Sequence, residues 1–342
     1  MRKAWSILPE EWKPILTERG LRAFRADQIL QSLYRDYITD WDQATTLPKD
    51  FRESLKTEFP ITKAETLDVS TSSDGTQKLL IGFEDGNAVE TVLIPATGRF
   101  TQCISTQVGC GMGCAFCASG SRGVVRSLTA DEIVAEYMAG RRMGEITNIV
   151  VMGMGEPFAN YDATLRALKL LNAGKGPNLG ARHITLSSCG IISGIERFAR
   201  EPEQFTLAIS LHSAVQETRD AIMPGVKGHP LPRLRSALVE YGQLTGRRPS
   251  LEYALMDGVN DSNPQLEALV DFCSGMLCHV NLIPLNPIKR SGDASQAYVM
   301  EPSPRMPEFK SALERAGIQV SVRDSRGSDI DGACGQLIQS LS

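Results

Sequence analysis

Phe100-Thr-Gln-Cys103-Ile-Ser-Thr-Gln-Val-Gly-Cys110-Gly-Met-Gly-Cys114-Ala-Phe-Cys117-Ala-Ser-Gly120-Ser-Arg-Gly-Val-Val-Arg126 is the stretch on which the reading of the chain turns. Cys110, Cys114 and Cys117 stand at the spacing C-x3-C-x2-C. Thiolates are soft ligands that suit iron–sulfur clusters and zinc. Three of them on a glycine-rich turn can face one cluster. A 4Fe–4S cluster usually takes four cysteines. Three would leave one iron open to a small molecule, as catalytic metal sites keep a position open. On spacing alone, a structural zinc site with a distant fourth ligand and a set of unrelated core cysteines remain alternatives.

Downstream of this stretch, strand-like and helix-like segments alternate. Strands are predicted at 100–105, 147–152, 183–187, 206–211, 250–255 and 280–284, and helices near 129–142, 161–173, 194–200, 231–245 and 263–273. The capping box Thr129-Ala-Asp-Glu132 marks where the first helix begins. A helix near 304–316 leads to a last strand at 318–322. Such repetition implies a parallel sheet, and six or so units predict an α/β fold built as a partial (β/α)6 barrel. Polar and glycine residues follow the strands: the Cys110 loop, Gly153-Met-Gly155-Glu156-Pro157, Ser187-Ser-Cys189-Gly190, Ser210-Leu211-His212 and Leu285-Asn286-Pro287. β/α barrels build their sites at this end, so a bound-cofactor site is expected there.

Upstream, residues 1 to about 60 read as helical. Ala26, Ile29, Leu30, Leu33, Tyr34 and Tyr37 form one apolar helix face, and Leu47-Pro48-Lys49 opens a second short helix. Arg22 and Arg25 fit either a solvated face or contact with RNA. Leu79–Phe83 and Val89–Ile94 flank an Asp85-Gly86 turn and read as a hairpin. Glu90 is an acid inside an apolar strand, either pointing to solvent or serving as a carboxylate near the cysteine loop. The expected organisation is a helical N-terminal domain at 1–75, a hairpin connector at 76–98 and the barrel with its tail at 99–342.

The charge of −4 gives no global signal for nucleic acid. No apolar run reaches membrane-span length, and Met1-Arg-Lys-Ala-Trp5 lacks the apolar core of a signal peptide, so a cytoplasmic location is expected. The eight cysteines then read as ligands, catalysts or buried residues rather than a disulfide scaffold. Cys334 lies among small residues on a segment with Arg323 and Arg326, where cations favour a thiolate. An inert terminal thiol is the alternative.

Together these motifs resemble a known family. The three-cysteine loop, with Phe116 before its last cysteine, is similar to the radical S-adenosylmethionine signature. With Gly153–Pro157, Arg182–Ser187, Ser210–His212, Leu282–Pro287 and the tail Arg326–Gln336, the chain resembles the RlmN/Cfr family of RNA adenosine methyltransferases. Phe24–Ile29 and Thr46–Pro48 resemble that family's N-terminal domain.

The resemblance implies one 4Fe–4S cluster on Cys110, Cys114 and Cys117. S-adenosylmethionine would bind against Gly155, Glu156, Ser187, Ser210, Leu211, His212 and Asn286, with two molecules used per turnover. Cys334 would take a methyl group, a 5′-deoxyadenosyl radical would activate that methyl, and the carbon would add to adenine. Glu90 would accept the ring proton, and Cys103 would release the product through a transient disulfide with Cys334. The implied substrates are 23S rRNA, at adenosine C2 in the peptidyl-transferase region, and tRNA beside the anticodon. C8 methylation is the alternative within the family. An electron donor such as flavodoxin and a monomeric state are expected. Cys189, Cys273 and Cys278 have no implied role and read as structural, and His183 as a packing residue of the third strand. Val124 stands where an aromatic is common in the family.

Overall fold

The computed structural model describes residues 2–288 and 300–337. Three helices come first: α1 (Pro9–Glu18), α2 (Arg25–Tyr34) and α3 (Lys49–Glu58). The predicted face of α2 is buried at Ala26, Ile29, Leu30, Leu33 and Tyr34. The helix stops at Tyr34, so Tyr37 lies beyond it in a left-handed conformation (φ 54°). Trp5, Trp12 and Trp41 fill the module's core, and the Trp41 indole donates to the Phe59 carbonyl at 2.8 Å.

Strands β1 (Ala64–Thr71), β2 (Gln77–Phe83), β3 (Ala88–Ala96) and β4 (Arg99–Cys103) pair antiparallel in sequence order. The predicted hairpin is therefore the middle of a larger antiparallel unit. β1 falls within the expected N-terminal domain of 1–75, just past the stretch that reads as helical. It is an edge strand whose Leu67 and Val69 are both exposed, so its apolar residues mark no core-facing side. A short hairpin, β5 (Gln107–Gly109) with β6 (Val124–Ser127), carries the cysteine loop.

The parallel part follows as α4 (Ala130–Met143), β7 (Asn148–Val151), α5 (Tyr161–Asn172), β8 (Ile184–Ser188), α6 (Ile192–Phe198), β9 (Thr206–Ser210) and α7 (Gln216–Ile222). It continues with α8 (Leu231–Thr245), β10 (Ser250–Leu255), α9 (Asn263–Cys273), β11 (His279–Pro284), α10 (Met306–Arg315) and β12 (Gln319–Val322). At the start of α4 the Glu132 carboxylate accepts from the Thr129 backbone N–H at 2.9 Å, as the capping box predicts. Among the described residues one sheet runs β1-β2-β3-β4-β7-β8-β9-β10-β11-β12. Pairing is parallel from β4 to β12. The order is linear and does not close, which is the partial barrel expected, with β12 added after six strand–helix units.

β10 is buried along nearly its whole length, as parallel strands covered on both faces are. A continuous core runs from Trp5 in the N-terminal module through the barrel to Leu313. His183 departs from expectation: it lies in a turn before β8 and is exposed, with its Nδ1 3.2 Å from the Thr147 carbonyl. Among the described residues no helix is long and apolar enough to cross a membrane.

Candidate active site

Two neighbouring cavities open at the C-terminal ends of the parallel strands. The smaller, about 140 Å³, is lined by Cys110, Cys114 and Cys117. Gly155, Glu156, Ser187, Ser210, His212 and Asn286 line it too. The larger, about 290 Å³, has Cys103, Arg323 and Arg326 in its wall. Cys117, Cys334 and Arg323 line both. Thus the barrel gathers residues more than 200 positions apart around one thiol.

The cysteine loop is held from three directions. Gly109 is left-handed (φ 76°), and a Cβ there would meet the Gly123 carbonyl oxygen at 2.1 Å, so only glycine closes the base of the loop. The Ala115 N–H donates to the Ile222 carbonyl at the end of α7, and the Gly225 N–H to the Met112 carbonyl. On the tail side the Ala118 N–H reaches the Gly335 carbonyl at 2.7 Å, and the Ser119 hydroxyl reaches the Leu337 carbonyl at 2.6 Å.

Burial pushes the Cys110 thiol up to about 11, and Cys114 and Cys117 also upward. Bound iron would reverse this, because a coordinating thiol is deprotonated. Among the described residues no three Cys, His, Asp or Glu groups close on a single metal-ion position. All three thiols line one cavity, and soft thiolate donors of this kind suit an iron–sulfur cluster.

The loop after β7 is pressed onto β5. Gly155 has φ 101°, and a Cβ would lie 2.7 Å from the Gln107 nitrogen. The Glu156 carboxylate accepts from the backbone N–H groups of Phe158 at 2.9 Å and Cys189 at 2.8 Å. Burial raises its carboxyl above the usual range, against these donors. His212 (φ 52°) accepts from the Ala254 N–H through Nδ1, and its ring packs edge-on to Phe116 at 4.5 Å. Burial, helped by Arg219, lowers the imidazole to about 3 and keeps it neutral. The Asn286 amide donates to the Cys334 carbonyl at 3.1 Å, tying the β11 loop to the tail.

All eight cysteines are free. Cys103 is buried and Cys334 exposed. Burial pushes the Cys103 thiol up to about 12, Cys334 adds to this, and Arg323 opposes it. Two expected residues lie off the cavity walls. Leu211 is fully buried, its carbonyl accepting from the Arg219 guanidinium. Glu90 is not solvent-facing and lines neither of these two cavities: it is buried, with Lys78 Nζ 3.1 Å from its Oε1.

The structure also brings in residues that the sequence left unmarked. Cys189, read as structural, lines the cavity of Cys110, Cys114 and Cys117, whereas Cys273 and Cys278 lie in the core. Glu252 projects into the same cavity from β10, its carboxylate held by Ser250 and Asn281. As an acid in an apolar strand, it carried the same signal that singled out Glu90.

Comparisons with known proteins identify the family. Residues 104–265 match the radical SAM superfamily, and residues 9–61 match the ribosomal RNA large subunit methyltransferase N-terminal domain. A probable dual-specificity RNA methyltransferase RlmN of Geobacillus kaustophilus is 44% identical over 97% of this chain and 91% of its own length. The protein of the same description from Bacillus subtilis is 42% identical over 97% and 92%. The crystal structure of a radical SAM methyltransferase from Sphaerobacter thermophilus matches with a TM-score of 0.92 at 43% identity, covering 98% of this chain and 99% of that one. With whole-length relatives at this identity and both domains matched, the chain belongs to the RlmN family of radical S-adenosylmethionine RNA methyltransferases.

Proposed function

We propose that the protein methylates C2 of an adenosine in the peptidyl-transferase region of 23S rRNA, and of the adenosine beside the anticodon in tRNA, through S-methylated Cys334. One observation carries this reading: Cys334 lines both the cavity of the three cluster cysteines and the cavity of Cys103. Cys110, Cys114 and Cys117 would hold a 4Fe–4S cluster, with S-adenosylmethionine against Gly155, Glu156, Ser187, Ser210, His212 and Asn286. Leu211 would contribute through its backbone. When bound, these groups supply a methyl group for the Cys334 sulfur and a radical that takes hydrogen from that methyl, using two cofactor molecules per turnover.

The chain's own residues do the rest. Cys334 presents the methyl-derived carbon to the ring, and covalent attachment divides one hard step into easier ones. Glu90 accepts the ring proton. Cys103 attacks the Cys334 sulfur as a thiolate, so that a sulfur–sulfur bond forms as the sulfur–carbon bond breaks, and the released carbon keeps the bonding pair and takes up a proton to complete the methyl group. Burial disfavours the Cys103 thiolate that this attack needs, and the Arg323 guanidinium beside it works against that effect. The reading places the enzyme in the cytoplasm as a monomer, with an electron donor such as flavodoxin.

The test is mass spectrometry of rRNA and tRNA from a deletion strain complemented with this chain. Restored 2-methyladenosine is expected, and Cys334→Ala should restore none. Finding 8-methyladenosine instead would move the assignment to C8. Product formed by Cys334→Ala would end the covalent mechanism.

A further inference from the structure

Glu90 poses a physical problem for its proposed role. A proton acceptor must be charged, yet the Glu90 side chain is only 4% exposed. Burying a carboxylate is costly unless it is paired. Lys78 is one such partner: its side chain is itself 15% exposed and its Nζ stands 3.1 Å from Glu90 Oε1.

Lys78 has a second partner. Its Nζ donates to the Asp331 carbonyl at 3.4 Å, three residues before Cys334. The strand register explains how one ammonium reaches both. Lys78 on β2 pairs with Val92 on β3, and Val92 pairs with Cys103 on β4. Cross-strand partners share a face, and so do residues two apart on a strand. Lys78, Glu90 and Cys103 therefore lie on one face of the antiparallel unit, with the tail laid over it.

The tail is fastened at the same place. The Gly327 N–H donates to Asp74 at 3.0 Å, in the β1–β2 turn. Asp329 accepts from the Ser72 hydroxyl at 2.5 Å and from the Ser73 N–H at 3.0 Å. A Cβ on Gly327 would meet Thr76 Cγ2 at 2.8 Å, so tail and turn are in close contact. These contacts bring the tail within reach of Lys78.

We propose that Lys78 is a positioning residue: it keeps the Glu90 carboxylate charged and registers it with the tail that carries Cys334. This rests on the proposed roles of Glu90 and Cys334. An ammonium suits the task, being a compact point charge with three donors on a flexible stem. It can serve a carboxylate and a carbonyl together.

The test uses the cluster-loaded protein and substrate RNA, and reads the two halves of the reaction separately. Methylation of Cys334 is read by peptide mass spectrometry, and the protein–RNA adduct on denaturing gels. For Lys78→Met, Cys334 should be methylated as in the unaltered protein. Product should fall by about 10²-fold, the scale of general-base loss, with the adduct accumulating. Lys78→Arg, which keeps the charge, should recover most of the product. If Lys78→Met does not fold, Lys78→Gln carries the same expectations.

Product within about twofold of the unaltered protein would overturn the proposal. So would loss of Cys334 methylation together with product, which marks Lys78 as a support of the tail alone. Failure of the underlying reading is seen elsewhere: the unaltered protein would carry no methyl on Cys334, or Cys103→Ser would trap no adduct.

Discussion

Single residues decide how closely the loops meet at the cavity. Gly155 sits at φ 101° against the β5 backbone, where a side chain is strained by conformation and by contact. Gly155→Ala is expected to cost about 1–3 kcal/mol in denaturant unfolding, from strain and overpacking. It should also weaken S-adenosylmethionine binding, measured by calorimetry on the cluster-loaded protein. Unchanged values for both would mean that the turn relaxes freely. This glycine was legible as part of a loop motif, but its contact with Gln107 was not. Glu90 shows the same limit. An acid in an apolar strand was visible, whereas its burial against Lys78 depends on the β2–β3 register.

Among the elements, the β1–β2 turn and the tail form a clasp held by carboxylates. Burial alone would raise Asp74, but hydrogen bonds from Thr76, Gly327 and Ser72 hold it well below the usual carboxylate range. Asp329 is likewise lowered, by Ser72 and then by the Ser73 N–H. A depressed folded-state pKa means stabilisation present above the unfolded value, about 3.9, and lost as pH falls through the lower folded one. The clasp is therefore intact at neutral pH and weakens progressively as pH falls below about 4 toward the lower folded values. Hydrogen exchange at 327–331, corrected for the intrinsic pH dependence, should show protection falling there before the barrel strands lose theirs. Simultaneous loss would show that the clasp does not open on its own. The predicted barrel strands correspond to strands in the structure because burial on both faces leaves long apolar runs. β1 was missed because an edge strand with exposed Leu67 and Val69 leaves no such mark.

At the scale of the whole molecule, the N-terminal module and the barrel share one core. All three tryptophans, Trp5, Trp12 and Trp41, lie in the module. Tryptophan fluorescence thus reports the module, while far-ultraviolet circular dichroism is dominated by the barrel. The two denaturant transitions should coincide, as probes of one cooperative unit do. Separate midpoints would show that the shared core does not couple them. Trp12→Ala should lower both midpoints together, at about 3–5 kcal/mol for a large core truncation.

Much of the protein was determined by its sequence alone. Periodicity, a capping box, turn residues and the cysteine spacing are local features, and local features specify strand–helix order, the parallel class and the cluster-type loop. The tail motif likewise carried the family resemblance. What only the tertiary structure decided is which distant groups share a space. Cys334 lines two cavities, Cys189 and Glu252 line the one that Cys110, Cys114 and Cys117 share, and Lys78 joins Glu90 to the tail. The physical reason is that strand register and loop docking set these meetings. Both are properties of the closed set of hydrogen bonds and packed faces, which no short stretch of chain contains.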